Sequence, residues 1–183
     1  TGRMLLGSDM YAVIAAFSSF PLCGLGINCA TGPKAMSEHV RILSKHSPFP
    51  ISVLPNAGLP VLKNGKYIYD LTPRELASDL VKFVKDFGVN MVGGCCGTTP
   101  EYIRILAEEM NKLAPVPRTT DFIPAAASSY QYQPFKTKPR PLIIGERTNA
   151  TGSKKFRETL LADDLDNMFE IALSQQKEQA HLL

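Results

Sequence analysis

The sequence predicts an α/β fold, a parallel sheet wrapped by helices, on three observations. Over residues 1–113 short apolar runs alternate with amphipathic helical patterns, the strand–loop–helix repeat of a parallel sheet. The runs LGIN, PISVLP and VNMV lack sustained polar alternation, as expected of parallel strands buried on both faces. Cys29, Asn56 and the adjacent Cys95 and Cys96 each fall just after a predicted strand and before its helix. In barrels and open α/β sheets alike, that edge carries the active site. The polar residues therefore converge on one face.

The elements follow in order. Ser8 is placed to cap a helix in which Met10, Val13, Ile14 and Phe17 share a face. LGIN is a strand leading into Cys29. TGPKAMSEHVRILSKH is a helix with Pro33 in its first turn and Met36, Val40 and Leu43 on one side. PISVLP is a second strand, ending at Asn56, Ala57 and Gly58. Thr72, Pro73 and Glu75 supply an N-cap, a first-position proline and a capping-box carboxylate. Their helix carries Leu76, Leu80, Phe83, Val84 and Phe87, and Gly88 ends it. VNMV is a third strand, and Thr99 and Pro100 start a helix with Ile103, Leu106, Met110 and Leu113 on its buried stripe. Residues 114–141, rich in Pro, Ala and Ser and without periodicity, read as a linker running over a surface. PLIIGERTN then reads as a new strand ending in a polar loop. SKKFRETL and DDLDNMFEIALSQQKEQAHLL read as helix, so a second α/β domain begins over 142–183.

Composition narrows the function classes. An apolar content of 44% and a charged content of 20% are those of a soluble globular protein. No apolar run approaches the roughly 20 residues that span a bilayer, and no secretory leader pattern is visible. A net charge of +3, with basic residues scattered except near 136–140 and 154–157, argues against a nucleic-acid partner. Four cysteines, at 23, 29, 95 and 96, make a poor disulfide framework. A reducing, cytoplasmic setting with thiols used for metal or catalysis fits them better.

Cys29, Cys95 and Cys96 can form a three-thiolate zinc site with one coordination position open. A substrate thiol in that position would be held as a nucleophilic thiolate. The spacing is long-range, however, and on its own it reads first as a pair of buried structural cysteines in an α/β core, with zinc second. Cys23 lies at the wrong end of its strand and reads as buried and inert. His39, His46 and His181 read as surface or hydrogen-bonded histidines. Asn56 either reaches the open metal position or a substrate, or merely shapes a PNAG turn. Gly93 and Gly94 allow close backbone approach, to metal and substrate or to a neighbouring strand.

GLGINCATGP, SVLPNAGLP and VGGCCGTTPEYI, in this order, resemble the second half of the homocysteine-binding barrel of homocysteine methyltransferases. TGRMLLGSDM is similar to the loop and helix after that barrel's fifth strand, and IGERTNATGSKKF to the opening of the folate barrel of cobalamin-dependent methionine synthases. The resemblance implies the C-terminal half of a (β/α)8 TIM barrel over 1–113. A linker over 114–141 and the first strand and helices of a second (β/α)8 barrel over 142–183 follow. It implies zinc on Cys29, Cys95 and Cys96, homocysteine bound near Asn56 and Gly94, and a pterin bound by Glu146 and Asn149. Arg147 reads equally as a structural ion-pair partner. The parent activity so implied moves a methyl group from methyltetrahydrofolate to homocysteine through cobalamin, carried on a module of the same protein outside this chain. Two alternatives stay open: a cobalamin-independent zinc methyltransferase, and an inactive zinc-binding fragment. On this reading the chain is a piece of a longer protein that self-associates when isolated, and neither nucleic acid nor membrane is a partner.

Overall fold

The computed structural model describes residues 7–183; the 1–6 part of the TGRMLLGSDM resemblance lies outside them. The first helix is α1 (Met10–Phe17), followed by β1 (Leu25–Asn28), α2 (Pro33–His46) and β2 (Ile51–Leu54). A hairpin of β3 (Pro60–Lys63) and β4 (Lys66–Tyr69) leads to α3 (Pro73–Phe87), β5 (Met91–Val92) and α4 (Pro100–Met110). Two short strands, β6 (Ala125–Ala127) and β7 (Tyr132–Pro134), precede the final helices α5 (Lys154–Leu161) and α6 (Leu165–Lys177).

The predicted parallel sheet is present, with β2 between β1 and β5. Leu25 pairs with Ile51 and Asn28 with Leu54 on one side, and Val53 pairs with Val92 on the other. One face of this sheet packs on α2, α3 and α4. Ile51, Val53, Met36, Val40, Leu43, Leu76, Leu80, Phe83 and Leu106 form one buried cluster there. Each large aliphatic side chain so buried contributes about 1.5–3 kcal/mol. The expectation of strands buried on both faces is corrected. Gly26, Asn28 and Met91 are exposed on the second face, because no layer of the described residues covers it. Among those residues the sheet has three strands and does not close into a barrel.

Local chemistry sets most element ends. Thr72 Oγ1 accepts from the Glu75 N–H and the Glu75 carboxylate accepts from the Thr72 N–H, closing the predicted capping box. Gly88, at φ +61°, ends α3 in the left-handed conformation that costs glycine least. The cap of α1 is Asp9 rather than Ser8. Asp9 Oδ1 accepts from the Ala12 N–H at 2.7 Å, while the Ser8 hydroxyl donates to the Ser129 carbonyl. This helix buries Ala12 and Ile14, and Phe17 is exposed. On α4, Leu106 is buried but Ile103 is exposed.

Residues 114–141 hold more structure than their composition predicts. The β6–β7 hairpin lies against α1, with Tyr132 stacked on Tyr11 at 4.9 Å. Upstream, Arg118 donates to the Ser44 and Phe49 carbonyls at 2.7 and 2.6 Å, and the Asp121 N–H donates to the Lys45 carbonyl at 2.7 Å. The Ser44 and Lys45 carbonyls are among those that the C-terminus of α2 leaves unpaired, and Phe49 lies just beyond it. Downstream, PLIIGERTN forms no strand, only an isolated parallel bridge between Ile144 and Leu182. Beyond local turns, the segment's backbone partners among the described residues are only His181 and Leu182, past the end of α6. The Gly145 N–H donates to the Leu182 carbonyl and the His181 N–H to the Ile143 carbonyl, each at 2.8 Å, a pairing too short to make a strand. Helices α5 and α6 pack against each other, as their sequence patterns predict, but α6 ends at Lys177.

Candidate metal centre

Three loops, following β1, β2 and β5, are laced together by backbone hydrogen bonds. The Cys29 N–H donates to the Leu54 carbonyl at 3.0 Å, and Asn56 N–H to Thr31 at 3.0 Å. Cys95 N–H donates to Pro55 at 2.8 Å, and Ala57 N–H to Cys96 at 2.9 Å. The first loop makes its turn through two consecutive non-glycine residues at positive φ, Cys29 at +63° and Ala30 at +61°. Such a conformation costs about 1–2 kcal/mol per residue and persists only where surrounding contacts hold it.

This lacing brings together the three cysteines that the sequence separates. Cys29 Sγ lies 3.6 Å from Cys96 Sγ, and Cys95 Sγ lies 4.0 Å from Cys96 Sγ. All three sulfurs lie within 4.8 Å of one another. A tetrahedral zinc ion with bonds of about 2.3 Å separates its ligand sulfurs by about 3.8 Å. The donor set and its spacing therefore fit one ion bound by three thiolates. All three thiols are free, and Cys96 is exposed while the other two are half-buried.

The surroundings tune these thiols. Cys29 is held below its ordinary thiol pKa, first by the Ala30 backbone N–H and then by Cys95 and Cys96, with burial opposing. Hydrogen bonding with Cys29 and then Cys95 pushes the Cys96 thiol up. Asn56 is buried, and its Oδ1 accepts from the Cys96 N–H at 3.1 Å. At Gly94 an added Cβ would come within 2.4 Å of Thr98 Cγ2, so the glycine lets the cysteine loop fold over Thr98.

One neighbour of the cysteines is absent from the sequence reading. Tyr69, the last residue of β4, places its ring on Gly97, where an added Cβ would lie 2.3 Å from Tyr69 Cγ. Burial first, then the charge of Cys96 and a hydrogen bond to it, raise the Tyr69 phenol pKa. The signal for its hairpin was present. Asn64 and Gly65, at φ +50° and +73°, form the turn between PVLK and KYIY, and Asn-Gly between apolar runs marks a two-residue hairpin.

The remaining candidates lie elsewhere. Cys23 is exposed rather than buried, in a groove of about 370 Å³ on the uncovered sheet face with Gly26, Ser52 and Met91. His46 is buried and bonds the Asp121 carbonyl at 2.7 Å, and His181 Nδ1 accepts from the Ile143 N–H at 3.1 Å. His39 departs from its expected hydrogen-bonded or surface state, since its Nδ1 is buried without a partner. Arg147 pairs with Glu178, and its N–H donates to Gln175 Oε1 at 2.7 Å. Asn149 Oδ1 accepts from the Thr151 N–H at 3.0 Å, closing a local turn. Glu146 Oε2 and Asn149 Nδ2 both approach Gly152, 2.8 and 3.9 Å from where its Cβ would be. The structure thus brings Cys29, Cys95, Cys96 and Asn56 together, and separately Glu146 and Asn149.

The family Homocysteine S-methyltransferase matches residues 1–110, the span that holds all of these cysteines. The chain belongs to the homocysteine S-methyltransferase family. Its homocysteine S-methyltransferase domain is similar to two mycobacterial proteins named methionine synthase, and the similarity extends across the whole chain. The one from Mycobacterium leprae (strain TN) is 49% identical over 188 residues, covering 100% of this chain and 16% of the relative. The one from Mycobacterium tuberculosis (strain ATCC 25618 / H37Rv) is 47% identical over 183 residues, covering 100% of this chain and 15% of the relative. The chain therefore spans about a sixth of the length of these relatives. No helix among the described residues is long and apolar enough to cross a membrane.

Proposed function

We propose that this chain supplies the thiol-activating site of a zinc-dependent homocysteine S-methyltransferase, with Cys29, Cys95 and Cys96 as the metal ligands. The sulfur spacing of 3.6 and 4.0 Å carries the reading, since it suits one tetrahedral ion with its fourth position left for a substrate thiol. Zinc bound there would supply Lewis acidity that keeps the homocysteine sulfur a thiolate at neutral pH. The chain's own residues position the ligands. The positive-φ turn at Cys29 and Ala30 aims the first sulfur, and Asn56 ties the Cys96 backbone to the β2 loop. On this reading Asn56 and Gly94 border the bound homocysteine. Methyl transfer then forms a sulfur–carbon bond from the thiolate lone pair as the donor leaves with the bonding electrons.

Three thiolates and an open position are sufficient for transfer from a small methyl donor directly, and nothing at the site calls for cobalamin. A second reading takes the methyl group from methyltetrahydrofolate through cobalamin on a module outside this chain. Similarity to the two methionine synthases across the full chain favours it, because that similarity includes the loop holding Glu146 and Asn149. There those side chains would bind the pterin, within a domain over 142–183 joined by residues 114–141 to the homocysteine domain over 1–113. In the full-length protein, Cys96→Ala is expected to reduce zinc from about one ion per chain to background. It should also abolish homocysteine methylation. Retained zinc stoichiometry by elemental analysis would refute the ligand assignment. Methylation measured with and without added methylcobalamin decides between the two donors.

A further inference from the structure

Cys96 is the exposed member of the three cysteines, and the loop that carries it is held from two sides. From the β2 side, Asn56 Oδ1 accepts from the Cys96 N–H at 3.1 Å, and the Ala57 N–H donates to the Cys96 carbonyl at 2.9 Å. On the other side the next residue is Gly97, at φ +78°, and a glycine swings between positive and negative φ at little cost. What lies against it is the ring of Tyr69. Its Cγ, Cδ1 and Cδ2 all come within 2.7 Å of where a Gly97 Cβ would stand, so the ring rests on the glycine backbone itself. Tyr69 is also the one half-buried residue of β4, and residues 60–68 of the hairpin are exposed. The root of the hairpin is firm. The Leu71 N–H donates to the Ala57 carbonyl at 3.1 Å, and the Tyr102 hydroxyl donates to the Leu71 carbonyl at 2.6 Å. The ring is thus carried by a fixed support outside the cysteine loop.

We propose that Tyr69 is a positioning residue for the metal centre: its ring clamps Gly97 in the left-handed conformation that sets Cys96 beside Cys29 and Cys95. Cys29 is set by its own positive-φ turn. Cys95 is set by its N–H on the Pro55 carbonyl and by the Thr98 hydroxyl, which donates to the Cys95 carbonyl at 2.7 Å. Of the three, Cys96 alone is followed by a residue with no side chain to fix it. With the ring removed, Gly97 regains its freedom, and metal binding must then bear the cost of ordering the loop. The ring acts by its shape, so the hydroxyl is dispensable to it. The proposal rests on the zinc-thiolate reading above.

The test measures the zinc affinity of the full-length protein by competition with a chromophoric chelator, with zinc per chain counted by elemental analysis. Tyr69→Ala is expected to weaken zinc binding about 10–100-fold, the range typical when a group that supports a metal ligand is lost. Tyr69→Phe keeps the ring and should bind zinc as the parent does. Tyr67→Ala, at an exposed position of the same hairpin, should do so as well. Where Tyr69→Ala does not fold, Tyr69→Leu takes its place. Its branched chain cannot lie flat on the glycine, and it is expected to weaken binding about tenfold. Parental affinity in Tyr69→Ala or Tyr69→Leu overturns the proposal. An equal loss in Tyr69→Phe overturns it by assigning the effect to the hydroxyl, and an equal loss in Tyr67→Ala by assigning it to the hairpin as a whole. A parental protein that takes up no zinc overturns the zinc reading and this proposal together, and the zinc count tells the two failures apart.

Discussion

The two faces of the β1–β2–β5 sheet come from the same strands and meet different surroundings. On one, Ile51 and Val53 are fully buried under α2, α3 and α4. On the other, Gly26 and Asn28 are exposed and Met91 is 45% exposed, beside a groove rather than a helix. The clad face carries the stability of the domain, because that is where apolar area leaves water. The open face carries small and polar residues, and its strand ends lead into the cysteine loops. Stability thus resides on one face of the sheet, and the three cysteines lie in the loops at its strand ends.

Three substitutions probe that division. Leu80→Ala, in the clad core, is expected to lower unfolding free energy by about 2–5 kcal/mol, read from urea denaturation. A loss below about 1 kcal/mol there would mean that the core relaxes into the space and that the face is not the stabilising one. Thr72→Ala removes the capping box of α3, the helix that roofs this face, and is expected to cost about 1 kcal/mol. The deficit should appear as a lower thermal midpoint with unchanged zinc content, since the bonds of the cap join only Thr72 and Glu75. Met91→Ala, on the open face, is expected to change stability by no more than about 0.5 kcal/mol. If it instead costs as much as Leu80→Ala, the second face is covered in solution by another part of the protein or another copy, and the contrast between the faces fails.

Much of the clad face was legible in the sequence. The stripe Met36, Val40 and Leu43, the stripe Leu76, Leu80, Phe83 and Val84, the Thr72 cap and the Gly88 stop are all properties of neighbouring residues. Helix periodicity and capping act over one to four positions, so they can be read without knowing the fold. The misses have the opposite character. Ser8 was displaced as a cap because a partner 121 positions away claims its hydroxyl. Residues 114–141 looked unstructured because their anchors, Arg118 on the carbonyls around the end of α2 and Tyr132 on Tyr11, are non-local. Tyr69 was overlooked although its Asn-Gly turn was visible, because nothing local says where a hairpin leans.

The sequence by itself determined the helices and the three parallel strands of the first 113 residues, where α3 starts and stops, and that cysteines sit at the ends of those strands. Only the tertiary structure decided that Cys29 and Cys96, 67 positions apart, come within 3.6 Å, and that Tyr69 joins them. The reason is physical. Local conformation follows from sterics and hydrogen bonds within a few residues, whereas the meeting of distant side chains depends on strand register and loop lacing. Those are properties of the whole sheet, and no short stretch of the chain contains them.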